Sequence, residues 1–167
     1  MSQDSNHETI QQEFQALRES LKTVQLATID ADGKPESSYA PYVWIEKAVY
    51  LYLSELARHT TNLKANPAIS LLFIEGEEKS RNLFARRRII LQGEVQKIAR
   101  ESNQFAAIMT EFKNQFGNFI DVIEPLQDFH LFRINPQRGR FIRGFAQAYE
   151  LTGLDLNEIK HIDPQNL

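Results

Sequence analysis

SELARHTTNLKANPAISLLFIE, residues Ser54 to Glu75, sets a short polar helix against an apolar strand, and the rest of the architecture follows from it. The spacing predicts a helix over 55–65, with Ser54 as a candidate N-cap. Asn66-Pro67 ends it, because the residue before a proline is pushed out of the helical region. ISLLFIE, residues 69–75, is a near-continuous apolar run of strand length, the pattern expected of a strand buried on both faces. The helix carries Arg58, His59, Thr60, Thr61, Asn62 and Lys64. These supply positive charge and neutral donors, and a helix N-terminus adds free backbone N–H groups. Together they suit an anion with a phosphate or carboxylate handle. Three- and four-residue spacing puts Arg58, Thr61 and Asn62 on one side, with Leu56 and Leu63 directed to the core. The same residues equally fit the polar face of an ordinary amphipathic helix.

Upstream, Ile10, Phe14, Leu17 and Leu21 recur at helical spacing, which predicts a helix over about 8–22 opened by a Ser5/Glu8 capping box. VQLATID, ESSYAPYVWIE and KAVYLYLS then read as three strands, joined by a Gly33 turn and a tight turn at Glu46-Lys47. Such short connections leave no room for crossover helices, so the pairing is antiparallel. Downstream, FARRRIILQGEVQKI is a long strand in which Gly93 marks a bulge or bend. Phe105, Ile108, Met109, Phe112 and Phe116 form a helical stripe over 100–116 that Gly117 stops. DFHLFRIN and GRFIRGFAQAYEL are two last strands turned at 135–139, and the tail from Asp155 reads as irregular. About seven strands in short-linked pairs, interrupted by three helices, make a mainly β, α+β protein: an antiparallel barrel-like sheet with peripheral helices. The 167 residues form one domain, with 1–7 and 162–167 expected to be flexible ends.

Composition narrows the chemistry. The chain has no cysteine, which removes disulfides, thiolate catalysis, iron–sulfur clusters and cysteine-bound zinc. A net charge of −3 with local arginine clusters favours a small anionic ligand over nucleic acid. The polar N-terminus lacks the signature of a secretion signal and no apolar run is long enough to span a bilayer, so the expected location is the cytoplasm, away from membranes. On an extended strand Arg86 and Arg88 face one way and Arg87 the other, an arrangement that can clamp a phosphate or carboxylate or can simply protect a sheet edge. A second group comprises Arg133, Arg138, Arg140 and Arg143. His7, His59, His130 and His161 show no metal-site spacing. No GxSxG, GxGxxG or P-loop pattern occurs, so any chemistry belongs to a bound cofactor.

Several segments together resemble a known family. LSxLxxHTxNLxxNPxxSLLFIE and RRxxLxGEV resemble the pyridoxamine 5'-phosphate oxidase-like FMN-binding split barrels. DFxLFRIxPxRGRFIRGFAQA, with a histidine in the tail, is similar to the haem-utilisation (HugZ-like) branch of that superfamily, and the likeness spans about residues 15–165. It implies an antiparallel split β-barrel that forms a homodimer with cofactor clefts between subunits. Carried over from FMN-binding members, the flavin phosphate falls to Arg58, His59, Thr60, Thr61 and Asn62 with Arg86, Arg87 and Arg88, and Trp44 or Tyr42 become candidates to lie against the ring. Carried over from the haem branch, His161 becomes the iron ligand and Asp128 the acidic residue that tunes it from across the dimer, a catalytic role. The resemblance thus implies haem or FMN, and an oxidoreductase if the protein is an enzyme. A non-catalytic carrier of haem or flavin is the third possibility.

Overall fold

The computed structural model describes residues 3–163. Its elements in chain order are helix α1 (Gln3–Glu19), strands β1 (Thr23–Ile29), β2 (Pro35–Ile45) and β3 (Ala48–Ser54), helix α2 (Arg58–Ala65), strands β4 (Ala68–Ile74) and β5 (Arg88–Ile98), helices α3 (Asn103–Phe116) and α4 (Phe119–Ile123), and strands β6 (Phe129–Gly144), β7 (Gln147–Thr152) and β8 (Glu158–His161). The sheet order is β3-β2-β1-β4-β5-β6-β7-β8, and β6 also pairs with β3. Six antiparallel strands therefore close a barrel, and two continue beyond it.

The split arises within β6. Its first half, Phe129–Ile134, pairs with β3; its second half, from Gly139, pairs with β7 instead. Between them Gln137 is left out of the ladder with β5, where Gln92 opposes Arg138 and Gly93 opposes Pro136. This bulge turns the strand from one neighbour to the next. Residues 135–139, expected to be a turn, thus lie inside one long strand. The real turn is at Phe145-Ala146, with Ala146 in the left-handed region (φ 57°).

The core fills the barrel. Leu26, Leu51, Leu71, Phe73, Ile89, Leu91, Ile134 and Phe141 are essentially inaccessible, each contributing about 1.5–3 kcal/mol by burial. α1 closes one end, where Ile10 and Leu17 enter that core and Phe14 packs edge-on against Trp44 and Phe141. α2 closes the other end, joining the end of β3 to the start of β4. A second core lies outside the barrel, where Phe105, Ile108, Met109 and Phe112 of α3 cover Tyr50, Tyr52 and Leu131. Ser102 caps α3 by accepting from the Phe105 N–H (3.1 Å), and Gly117 at φ 74° ends it.

Several expectations change. Among the described residues there are eight strands and four α-helices, not seven and three. α1 begins by Gln3, so Ser5 lies within the helix rather than at its cap and residues 3–7 are helical. The strand buried on both faces is β3, sandwiched between the two cores; β4 alternates, leaving Leu72 and Ile74 half-exposed on the outside. The tail is not irregular throughout, because β8 pairs with β7. Of the ends expected to be flexible, 1–7 and 162–167, residues 1–2 and 164–167 lie outside the described residues.

Candidate functional site

At the α2 end, the helix starts at Arg58, and its N-cap, Ala57, has no side chain to cap with. Ser54 is not the cap: its hydroxyl accepts from the Leu56 N–H (3.1 Å) and donates to Asp128 Oδ2 (2.7 Å). Leu56, expected in the core, is 92% exposed, whereas Leu63 is buried. The polar residues of α2 divide in two. His59, Thr60 and Asn62 are buried against the barrel, while Arg58 and Thr61 face solvent. His59 Nδ1 lies 2.9 Å from Ser38 Oγ, and Thr60 donates to the Ser54 carbonyl (2.6 Å). Asn62 Nδ2 donates to Thr28 Oγ1 (3.0 Å) and Glu36 Oε2 (3.1 Å). Arg58 Nε lies 3.6 Å from the same Glu36 oxygen. Burial pushes the His59 imidazole below the usual histidine range, and the Glu36 carboxylate opposes that shift only in part.

Arg86, Arg87 and Arg88 sit at the α1 end, not beside α2. β4 separates the two places, and its seven residues span roughly 20 Å. Only Arg88 lies on the strand, so the expected strand alternation does not apply to Arg86 and Arg87. Both are held by the preceding loop. Arg87 donates its N–H to Glu75 Oε1 (2.8 Å) and its Nε to Glu75 Oε2 (2.9 Å); Arg86 donates its Nε to the Glu75 carbonyl (3.0 Å). Burial works to raise the Glu75 pKa, but these hydrogen bonds and the two guanidinium charges hold it below the ordinary carboxylate value. Arg88 Nη1 donates to the Arg86 carbonyl (3.0 Å). Arg143 is paired with Glu13 of α1 and Arg138 with Gln92.

Asp128 and His161 are also at opposite ends. Asp128 precedes β6 beside the end of β3, and its carbonyl accepts from the Glu55 N–H (2.8 Å). Its Oδ1 has no partner among the described residues. His161 ends β8 opposite Tyr149, which in turn opposes Phe141. A dozen residues of extended strand from Phe129 to Phe141 span roughly 40 Å, so the two side chains do not meet within one subunit. His161 is exposed, packs edge-on to Tyr149 (ring centroids 5.3 Å apart) and places Nε2 3.3 Å from the Ala146 carbonyl. Its Nδ1 is unengaged among the described residues. An accessible imidazole with one free nitrogen fits a haem ligand.

His130 lies near Asp128, its Nε2 2.5 Å from Glu55 Oε1. Lys64 first and His130 second pull the Glu55 pKa down to about 2. The aromatic candidates for a flavin ring do not reach α2. Tyr42 is buried, donates to the Arg18 carbonyl (2.6 Å) and has its hydroxyl pushed up to about 12 by burial. Trp44 stands at the α1 end under the Arg18 guanidinium (4.5 Å) and lines a cleft of about 740 Å³ at the barrel's split. Among the described residues no three histidines, aspartates or glutamates gather as a metal site.

This barrel and its sequence match known proteins. The pyridoxamine 5'-phosphate oxidase family model matches residues 10–143. The chain belongs to that family. Heme oxygenase HutZ of Vibrio cholerae is 38% identical over 154 residues, 92% of this chain and 88% of its own. The crystal structure of HutZ, described as the heme storage protein of that organism, superposes with a TM-score of 0.76 at 36% identity, covering 87% of this chain and 98% of HutZ. Campylobacter jejuni ChuZ superposes with a TM-score of 0.85 at 31% identity over 94% of this chain, which spans only 65% of ChuZ. Within the family, these similarities set the chain in the HugZ-like branch.

Two site residues escape a reading of the sequence. Glu36 is an acidic residue in a polar strand, and only the fold brings it under Asn62. Glu75 closes the quoted stretch, but its partner Arg87 is 12 residues away across a loop. Glu75 offers one signal, an acid opening the loop that leads to the arginine segment; Glu36, with Lys34 as its one cationic neighbour in sequence, offers none.

Proposed function

We propose that this protein binds haem between two copies of the chain, with His161 of one subunit as iron ligand and Asp128 of the other as the acceptor that orients it. The observation that carries this reading is His161 itself: an exposed imidazole, held on a paired strand, with a free ring nitrogen. The similarity to HutZ supports it. The placement of Asp128 and His161 at opposite ends of the barrel within one subunit supports contact across a dimer. So does the half-exposed apolar outer face of Leu72, Ile74, Ile90 and Ile142, which would be buried on pairing. With Nδ1 on the iron, the Asp128 carboxylate would replace the long 3.3 Å contact of Nε2 to the Ala146 carbonyl, raise the basicity of Nδ1 and fix the ring's orientation. Arg88, at the same end of the barrel as His161, is a candidate partner for a haem carboxylate. Bound haem would itself supply any redox or oxygen chemistry. Whether the protein degrades haem or stores it, the two descriptions of HutZ, is a question of turnover. The net charge of −3 supports a small ligand rather than nucleic acid, and the same reading puts a homodimer in the cytoplasm, away from membranes.

FMN is the second reading. It is favoured by the family match over 10–143, which includes α2 and the arginine segment and stops before His161. Glu36 weighs against it, because its carboxylate already takes the Asn62 donor and the nearest cation, Arg58.

The test is an absorbance titration of the purified protein with haemin and, separately, with FMN. Haem binding gives a Soret band, which His161→Ala shifts or weakens; flavin bands near ~370 and ~450 nm mark the second reading. An unchanged Soret band and affinity in His161→Ala would reject the ligand assignment. Loss of the band with ascorbate and oxygen separates an oxygenase from a store.

A further inference from the structure

Ser54 belongs to the LSxLxxHTxNL segment and reads as a helix cap, yet caps nothing. It is the last residue of β3, opposite Phe129 in the ladder with β6. Its hydroxyl is fully engaged: the proton goes to Asp128 Oδ2 at 2.7 Å and a lone pair takes the Leu56 N–H at 3.1 Å. The backbone on both sides is tied as well, because the Glu55 N–H donates to the Asp128 carbonyl at 2.8 Å. Asp128 therefore has one carboxylate oxygen fixed by a donor that cannot itself turn away, and one oxygen left without a partner among the described residues. Leu56, 92% exposed, leaves this corner open to an incoming group.

We propose that Ser54 is a positioning residue: by holding Asp128 Oδ2 it fixes Oδ1 as the acceptor for the iron-ligating histidine of a second subunit. This rests on the haem reading of His161 and Asp128. Removing the hydroxyl has two opposed effects. The carboxylate gains electron density and becomes a stronger acceptor, but it also becomes free to rotate. Hydrogen bonds weaken steeply once they leave alignment, so the loss of orientation outweighs the gain in basicity. The imidazole then carries less negative character, and ferric iron is less well stabilised.

The experiment measures the Soret spectrum and the ferric–ferrous potential of the haem-loaded protein for wild type, Ser54→Ala, Ser54→Thr, Asp128→Asn and the double variant Ser54→Ala/Asp128→Asn. Asp128→Asn should raise the potential. Ser54→Ala should raise it in the same direction by a smaller amount, Ser54→Thr should restore it, and Ser54→Ala should add nothing once Asp128 is Asn. A purely structural serine would shift the potential equally in both backgrounds, and that result overturns the proposal. So does a Ser54→Ala potential equal to wild type while Asp128→Asn is shifted; the haem reading then stands. An absent Soret band in wild type, or an unshifted Asp128→Asn, rejects the underlying reading and the proposal with it.

Discussion

Glu36 accepts a hydrogen bond from Asn62 at 3.1 Å, so a carboxylate of the protein already occupies the polar face of α2 that looks, in sequence, like a phosphate seat. A second anion placed there meets like-charge repulsion. Wild-type protein is therefore expected to bind FMN weakly. Glu36→Gln keeps an acceptor for Asn62 and removes the charge. FMN affinity should then rise about tenfold, roughly 1.4 kcal/mol, as read by flavin fluorescence quenching. Equal affinity in the two proteins would mean that the flavin phosphate does not approach this face.

The barrel was legible because its signals are local. Alternation, turn residues and the Phe105–Phe112 stripe each depend on neighbours in sequence, and Gly93 did mark the bulge. The site was less legible because its pairings are long-range. Ser54 reads as a cap until Asp128, 74 residues away, takes its proton. The arginine segment reads as a free clamp until Glu75 folds back onto it. β8 was missed because four residues with one half-buried position carry no periodicity of their own; they form a strand only because β7 offers an edge.

Arg100 is a junction whose loss should be felt at Asp128. Its guanidinium donates to the carbonyls of Glu124 (2.6 Å), Leu126 (2.8 Å) and Phe129 (2.8 Å), and it stacks over Phe105. These bonds hold the segment that leads from α4 to β6. Arg100→Ala should cost about 2–4 kcal/mol, since hydrogen bonds from a charged group are the stronger kind and several carbonyls lose their donor together. Arg100→Lys should recover part of it. Hydrogen exchange of amides over 124–129 should accelerate more than exchange in β1 or β4. Uniform acceleration across the barrel would contradict the local role.

His59 predicts a pH dependence of stability. Burial depresses its pKa in the folded state, so the folded protein keeps it neutral where the unfolded chain, near 6.5, begins to take up a proton. Below that value the unfolded state binds more protons, and stability falls with pH until the folded imidazole also titrates. The loss should therefore lie between about pH 6.5 and the depressed folded value, and above it His59 should contribute no slope. Glu55 acts in a different window: its stabilising contribution is complete above about pH 4.5 and is lost as pH falls towards 2. Urea denaturation at pH 7 and pH 5 should show the first slope in wild type and a flatter one in His59→Asn. The other histidines are common to both proteins. An identical slope would show that His59 is not the group responsible.

The Gln137 bulge links the fold to the tail histidine. At the bulge a Cβ on Gly93 would stand 2.8 Å from the Asn135 carbonyl oxygen, a backbone atom that cannot swing aside. Gly93→Ala should therefore cost about 1–3 kcal/mol from crowding. Deleting Gln137 should act further along the strand. Gln137 is the extra residue of the bulge, so its removal leaves Arg138 opposite Gln92, Gly139 opposite Leu91 and Phe141 opposite Ile89, with Phe141 still facing the core. What is lost is the local kink and added twist that swing β6 away from β3 and onto β7. β7 and β8 hang from that half of β6, so His161 would lose its support with them. The deletion variant is expected to keep the β1–β4 protection pattern in hydrogen exchange and lose it over 139–161. Substitution by Gln137→Ala, at an exposed residue outside the ladder, should change stability by less than about 0.5 kcal/mol. If deletion and substitution behave alike, the bulge is not what directs β6 from β3 to β7.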